Sequence, residues 1–291
     1  MLKKLKSFFS NLNSAVNTLK SINAQILELN NKIDATKEIL TDIHLDHLSN
    51  SQNQKNELNR FEFQVYSQNG EDGILNEILK RLNIESGYFV EIGIQDGLET
   101  NTTFLLMKGW KGAWIEADQA YLPKINQTFR KEIEDKNLTI LNDFVNAENI
   151  NQILSKENLP SEIDILSIDI DSNDYWVWKN IVVRSPKIII IEYNAFIPCE
   201  TEWIMDYHSA KVWDSSTVFN ASLKSLEMLG REKGYKLLAC CYNGVNAFFV
   251  REDLITDKFL PLQIEEIYQP VRYYLKRNFT IKKGFQRFNK K

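Results

Sequence analysis

Acidic residues gather in SIDIDSNDYWVW, residues 167–178, where Asp169 and Asp171 stand two apart at the end of an apolar run and Asp174 follows. On an extended chain that spacing turns both carboxylates to one side. A second apolar run, KIIIIEY at 187–193, ends with Glu192, and Asn194 lies just past it. Oxygen atoms converging from two neighbouring strand ends suit magnesium or another hard cation, with Asp169, Glu192 and Asn194 as the expected ligand set. Such a cation would orient two hydroxyls and lower the pKa of one of them. A metal-free reading stands beside it, in which one carboxylate holds a cationic group of a ligand and another acts as general base. Acids on a turn also commonly cap and solvate it.

A second chemical feature is YFVEIGIQDG, residues 88–97. The nearly continuous apolar run reads as a parallel strand covered on both faces, and Glu91 interrupts it. A carboxylate on a buried strand needs a partner, and in an open α/β sheet ligands gather beyond the strands' carboxyl ends. Gly93 and Gly97 allow sharp turning and close backbone approach. The pattern E-x-G-x-x-x-G is not the G-x-G-x-x-G that receives a pyrophosphate.

Taken together, YSQNGEDGIL at 66–75, FVEIGIQDGLETNTTFLL at 89–106 and GWKGAWIEAD at 109–118 resemble the FkbM-like branch of class I S-adenosylmethionine-dependent methyltransferases. The resemblance spans roughly residues 62–255 and implies O-methylation of a hydroxyl on a sugar or glycan, which can be lipid-linked. It implies S-adenosylmethionine as cofactor, and Mg2+ is a further option from the oxygen set at the strand ends rather than from the resemblance. Glu116 would then accept hydrogen bonds from the ribose hydroxyls, and Asp143 would receive the adenine amino group. Gly93 would line the methionine portion, Glu91 would order the turn or meet the amino group, and Asp169 would hold the ammonium. Gly97 completes the turn, while Ser67 and Gln68 would close over the cofactor.

Transfer from a sulfonium needs mainly positioning and removal of the acceptor's proton. The candidate bases are Asp169, Asp171 and His208. His208 lies in CETEWIMDYHSAKVWDSS, where Trp203, Tyr207 and Trp213 offer faces for a sugar ring and Glu200, Glu202 and Asp206 offer hydrogen bonds. The same aromatics would equally pack a lid, with His208 at its surface. Two other classes remain open. One is a catalytically silent binding or scaffold protein with a methyltransferase shell, and the other is an NAD-dependent sugar-modifying enzyme, which lacks the pyrophosphate glycines here.

These residues require an alternating α/β order to position them. A helix with Ile74, Ile78 and Leu82 on one face precedes a strand at 87–94, and further strands follow at 112–117, 138–141, 164–170 and 187–193. Helices are expected near 147–156 and 218–234, and YKLLACCYN with NAFFVRE forms a terminal strand pair. The expectation is a Rossmann-like, doubly wound, mostly parallel sheet of six or seven strands over residues 61–267.

The ends of the chain differ from this body. From Leu12 to Ile43 apolar residues recur by fours and threes, with one doubled three at Leu19 to Ile22, so residues 1–47 read as a coiled-coil oligomerisation helix. If continuous from 12 to 43 it is about 48 Å long and needs a partner in water. Residues 48–60 read as a polar linker. Residues 268–291 hold eight basic residues and no acid in a chain whose formal net charge is −4, giving a basic tail on an acidic body. That tail and the basic N-terminus suit an anionic membrane surface, with no specific nucleic acid implied. The 291 residues, 43% of them hydrophobic, include no bilayer-length apolar run and no signal-peptide core, so a cytoplasmic protein is expected, with the inner face of a membrane as a peripheral site. Cys199, Cys240 and Cys241 have neither metal-ligand spacing nor the even count of a disulfide framework.

Overall fold

The computed structural model describes residues 2–50 and 57–275. It falls into two units, one ending at His47 and the other beginning at Leu48. The first unit is a helix, α1 (Leu2–Asn50). The apolar stripe residues from Leu12 to Ile43 lie 41% to 60% exposed, and Leu27 and Ile39 add apolar surface beside the stripe. Thr36, its polar member, turns its hydroxyl back to the Lys32 carbonyl at 2.8 Å. No described helix is long and apolar enough to cross a membrane.

The second unit contains strands β1 (Tyr88–Ile92), β2 (Lys111–Glu116), β3 (Leu138–Asn142), β4 (Ile165–Ile168), β5 (Ile188–Glu192), β6 (Tyr235–Cys240) and β7 (Asn246–Arg251). Its helices are α2 (Glu71–Leu82), α3 (Thr103–Met107), α4 (Leu122–Thr128), α5 (Arg130–Glu134), α6 (Ile150–Leu154), α7 (Asp174–Asn180), α8 (Leu223–Glu232) and α9 (Ile264–Ile267). The seven strands form one sheet in the order β3-β2-β1-β4-β5-β7-β6. Strands β1 to β5 run parallel, and β7 enters antiparallel between β5 and β6.

Both faces of the sheet are covered, which is why Ile188, Ile189, Ile190 and Ile191 can follow one another with none exposed. Ile189 and Ile191 pack with Val177, Trp178, Leu226 and Leu229 on one face. Ile188 and Ile190 join Ile74, Ile78, Leu105 and Ile125 on the other. The architecture is the Rossmann-like doubly wound sheet. The order in which strands join the sheet reverses between the parallel neighbours β1 and β4, and that switch point opens at their carboxyl ends.

Several boundaries move inward from the expected ones. β1 ends at Ile92 because Gly93 turns with φ +84°, and β4 ends at Ile168. Asp169 and Asp171 therefore do not alternate along a strand, and Asp171 instead adopts the left-handed φ of +57°. Helix α8 starts only after Ser222, whose hydroxyl accepts from the Ser225 N–H as an N-cap, since Ala221 bridges to Ile204. Within the expected linker, Glu57–Phe61 forms a 3-10 turn that buries Leu58 and Asn59, and Asn59 donates to the Cys240 carbonyl at 2.6 Å. Residues 51–56 lie outside the described residues. Residues 268–275 belong to the fold: Tyr193 donates to the Gln269 carbonyl at 2.5 Å, and the Arg272 N–H donates to Asn243 O at 2.9 Å. The rest of the basic tail, from Lys276 on, lies outside the described residues.

Candidate functional site

Gly93 is where β1 meets the exit of β4. A Cβ there would stand 1.7 Å from the Asp169 carbonyl oxygen, so only glycine permits the approach. The turn is exposed, and its next residues lead to Glu116 at the end of β2. Glu116 accepts from the Gln95 N–H at 2.7 Å with one oxygen and from the Asp118 N–H at 2.8 Å with the other. A carboxylate has about four acceptor positions, so capacity remains for two hydroxyls. Gly97 turns the chain with φ +77° and has a second role in packing. It is buried, and a Cβ would lie 2.7 Å from the Trp114 ring and 3.0 Å from Phe129, so this glycine serves the turn and the core.

Glu91 is 3% exposed, and its partners come from the protein. One oxygen accepts from the Asn101 N–H at 2.8 Å and from Ser167 at 3.4 Å. The other accepts from the Thr102 N–H at 3.0 Å and the Thr102 hydroxyl at 2.5 Å. Glu91 thus orders the entry to α3 and ties β1 to β4. Burial raises its pKa, and these hydrogen bonds oppose the rise. Of the two roles weighed for it, the geometry carries the ordering one.

Across the switch point, oxygens of Asp169, Asp171 and Glu192 lie within 4.8 Å of one another. Burial first, then neighbouring acids including Asp171 for Asp169 and Asp169 for Glu192, pushes both carboxyls well above the usual range. Asp171, the exposed member, is raised by partial burial. Glu192 Oε2 is buried and has no hydrogen-bond partner. Asp174 shapes the cluster from below. Its carboxylate accepts from the Ile170 N–H at 3.0 Å and the Ser172 N–H at 3.1 Å, holding the turn that presents Asp171, and burial raises it to about 7.

Asn194 is engaged by its own neighbours: its amide donates to Thr217 O at 2.9 Å and Phe219 O at 3.0 Å and accepts from the Phe196 N–H at 3.2 Å, bracing the segment after β5. Asp171, which the expected ligand set left out, is the acid that the structure brings to Asp169 and Glu192.

The remaining expected residues divide by how their groups are engaged. Ser67 is buried, its hydroxyl accepting from the Asp72 N–H at 3.1 Å. Asp72 in turn accepts from the N–H groups of Val65 at 2.7 Å, Tyr66 at 2.7 Å and Ser67 at 2.9 Å. Ser67 therefore shapes the loop, and half-buried Gln68 follows it. Asp143 lies beside Glu116, donating its N–H to Glu116 O at 3.2 Å, and its carboxylate pairs with Lys156 at 2.5 Å. His208 is exposed, and its carbonyl accepts from Asn173 at 2.9 Å, which docks this segment at the start of α7. Tyr207 donates to Glu148, and Trp213 stays 51% exposed. Cys240 and Cys241 are buried, Cys199 is half-buried, and all three are free.

Tyr273, in the sequence one of the basic tail's aromatics and suited to a stacking surface or to the domain's own flank, comes to this edge of the sheet. Its ring meets that of Phe196 edge-on at 5.8 Å, and burial together with Glu192, Asp171 and Asp169 raises its hydroxyl to about 12. Its only signal in the sequence is an aromatic pair, Tyr273 and Tyr274, at the start of a basic tail.

No family model matches the chain, and no curated protein matches it. Among solved structures it is similar to a putative caffeoyl-CoA O-methyltransferase from Staphylococcus aureus, at 15% identity and TM-score 0.44 over 75% of this chain and 100% of that one. A putative O-methyltransferase from Klebsiella pneumoniae gives 15% and 0.43 over 75% and 99%. The O-methyltransferase TomG from Streptomyces achromogenes, in complex with SAM, gives 14% and 0.43 over 75% and 98%.

Chemically, the carboxyl edge of the sheet offers a hydroxyl-binding carboxylate on β2, an exposed glycine turn on β1, and a proton-accepting or cation-binding acid set at β4 and β5. Phe196 and Tyr273 stand beside that set with half-exposed rings, 50% and 42%.

Proposed function

We propose that this chain is an S-adenosylmethionine-dependent O-methyltransferase that acts on a hydroxyl of a sugar or glycan. The observation that carries the reading is the open Gly93 turn, with Glu116 on one side and the Asp169, Asp171 and Glu192 oxygens on the other. Glu116 accepts hydrogen bonds from the ribose hydroxyls, the exposed Gly93 backbone lines the methionine portion, and Asp143 stands by the adenine end. S-adenosylmethionine, when bound, supplies an electrophilic methyl group on a sulfonium. Asp171, the exposed acid, would accept the acceptor hydroxyl's proton as the hydroxyl oxygen bonds to the methyl carbon and the carbon–sulfur bond breaks, while Asp169 would face the ammonium. The aromatic faces of Trp213, Phe196 and Tyr273 support a ring-bearing acceptor. Titration calorimetry with S-adenosylhomocysteine tests the reading: binding is expected, with loss of at least tenfold in Glu116→Ala. No binding at millimolar ligand would overturn it, and preference for NAD would favour the nucleotide alternative. Binding with no turnover on any sugar acceptor would favour the silent scaffold.

The acid set also fits magnesium, on the buried, unpartnered Oε2 of Glu192 and three hard oxygen donors. Asp169, Asp171 and Glu192 would hold the cation, which would lower the pKa of an acceptor hydroxyl. Magnesium is then expected to raise the unfolding midpoint at pH 7.5, and Glu192→Gln to abolish the effect. An equal rise in wild type and variant would remove the cation from the proposal.

Assembly belongs to the same reading. The exposed stripe of α1 pairs with a second copy of the chain, and the basic termini approach an anionic membrane surface.

A further inference from the structure

At the amino ends of β4 and β5, on the opposite edge of the sheet from the acid set, lies a cavity of about 150 Å³. Its inner wall is apolar, formed by Leu166, Trp178, Ile181 and Ile189, all of them buried. Its rim carries two cations, Arg184 and Lys233. Lys233 donates to the carbonyls of Lys179 at 3.1 Å and Ile181 at 2.9 Å, which leaves one of its three N–H groups unassigned. Arg184 donates from Nη1 to Val183 O at 3.0 Å, while its Nε–H is buried with no partner.

Neither cation forms a salt bridge among the described residues, although neighbouring Arg231 pairs with Glu227 and Arg251 with Asp253. Glu232 acts on Lys233 only at longer range, and burial still lowers the Lys233 pKa. The Arg184 Nη2 group has no acceptor among the described residues and is not enclosed, so with the remaining N–H of Lys233 it offers charge-assisted donors to an anion in the cavity. The apolar wall sets the rest of the ligand. The cavity is apolar on that wall alone, and its volume of about 150 Å³ is enough for a benzene-sized molecule.

We propose that this cavity binds a small monocarboxylate with a ring-sized apolar body, its carboxylate between Arg184 Nη2 and Lys233 Nζ and its body against Trp178, Ile181 and Leu166. The site is separate from the methyl-transfer reading and does not depend on it. Ser185 stands at the rim, and Tyr235 is already engaged with the Pro186 carbonyl at 2.7 Å, so the two cations are the groups left for the anion.

Ligand-observed fluorine NMR on the full chain with 4-fluorobenzoate tests it, with 4-fluorobenzamide and inorganic phosphate as comparison probes. Saturable binding of 4-fluorobenzoate is expected, weakened about tenfold or more in Arg184→Gln and in Lys233→Gln. The neutral amide and phosphate are each expected to bind at least about tenfold more weakly. Ile181→Trp keeps both cations and fills the space, so it is expected to abolish binding. The thermal unfolding midpoint of each variant is also measured, and is expected to stay near the wild-type value and to report an intact fold. Absence of saturable binding, equal binding of acid and amide, or binding unchanged in all three variants would overturn the proposal. Phosphate binding as tightly as 4-fluorobenzoate would overturn the assignment of an apolar body.

Discussion

Three acids that look alike in the sequence do different work at the carboxyl edge. Glu91 is enclosed and accepts four hydrogen bonds within the protein. Glu116 holds two loop N–H groups and retains acceptor capacity. Asp171 is exposed on a left-handed turn. Removing the first strands buried donors, at a cost of about 3 kcal/mol or more. Glu91→Ala is therefore expected to lower the denaturation midpoint strongly, whereas Asp171→Asn leaves the midpoint and S-adenosylhomocysteine affinity near wild type and abolishes turnover. Thermal unfolding and calorimetry on the two variants check this, and turnover preserved in Asp171→Asn would return the base role to Asp169 or His208. The positions of these acids were legible from their place at strand ends. Which of them was already satisfied was not, because the partners of Glu91 on Asn101, Thr102 and Ser167 depend on how α3 and β4 come together. Asn194 and Tyr273 illustrate the same limit. The first is claimed by carbonyls of residues 217 and 219, and the second is carried to the site by a chain segment distant in sequence.

At the scale of elements, the strands were legible because continuous apolar runs such as Ile188–Glu192 have few alternatives in a covered sheet. Their ends were not, since turns such as Gly93 and Asp171 cut them short. Gly93→Ala places a Cβ against the Asp169 carbonyl and strains a φ of +84°, so it is expected to disturb β1 and β4 together. S-adenosylhomocysteine binding should fall by more than about tenfold, and unchanged affinity would show that the exits of the two strands move independently. Helix α1 follows different physics. Its stripe is legible from period alone, and exposure of Leu12 through Ile43 leaves that stripe available to a second copy. Deleting residues 1–47 is expected to lower the oligomer number measured by light scattering and to leave S-adenosylhomocysteine affinity unchanged. An unchanged oligomer number would assign assembly to another surface.

For the whole molecule, the burial of acids determines how stability responds to pH. Asp72, beside Glu71 at the start of α2, is raised by burial from 3.8 to about 6 despite its three backbone donors, and Asp174 is raised to about 7. A carboxyl whose pKa is higher folded than unfolded binds its proton more tightly in the folded state. Its contribution is fully present below about pH 4 and is lost as pH rises through the folded pKa. The exposed, ion-paired Asp214 and Asp253 have lowered pKa values, so their opposite dependence falls below pH 4. Between pH 5 and 7.5 the buried acids dominate, and the denaturant midpoint is expected to fall across that range. The Asp72 share is on the order of 3 kcal/mol from pH 4 to well above 6. Asp72→Asn keeps an oxygen for Val65, Tyr66 and Ser67 but cannot titrate, so its midpoint should change less steeply over the same range. Parallel pH profiles for wild type and variant would show that Asp72 titrates alike in the folded and unfolded chains, and the loop around Ser67 would then owe its shape to the surrounding packing.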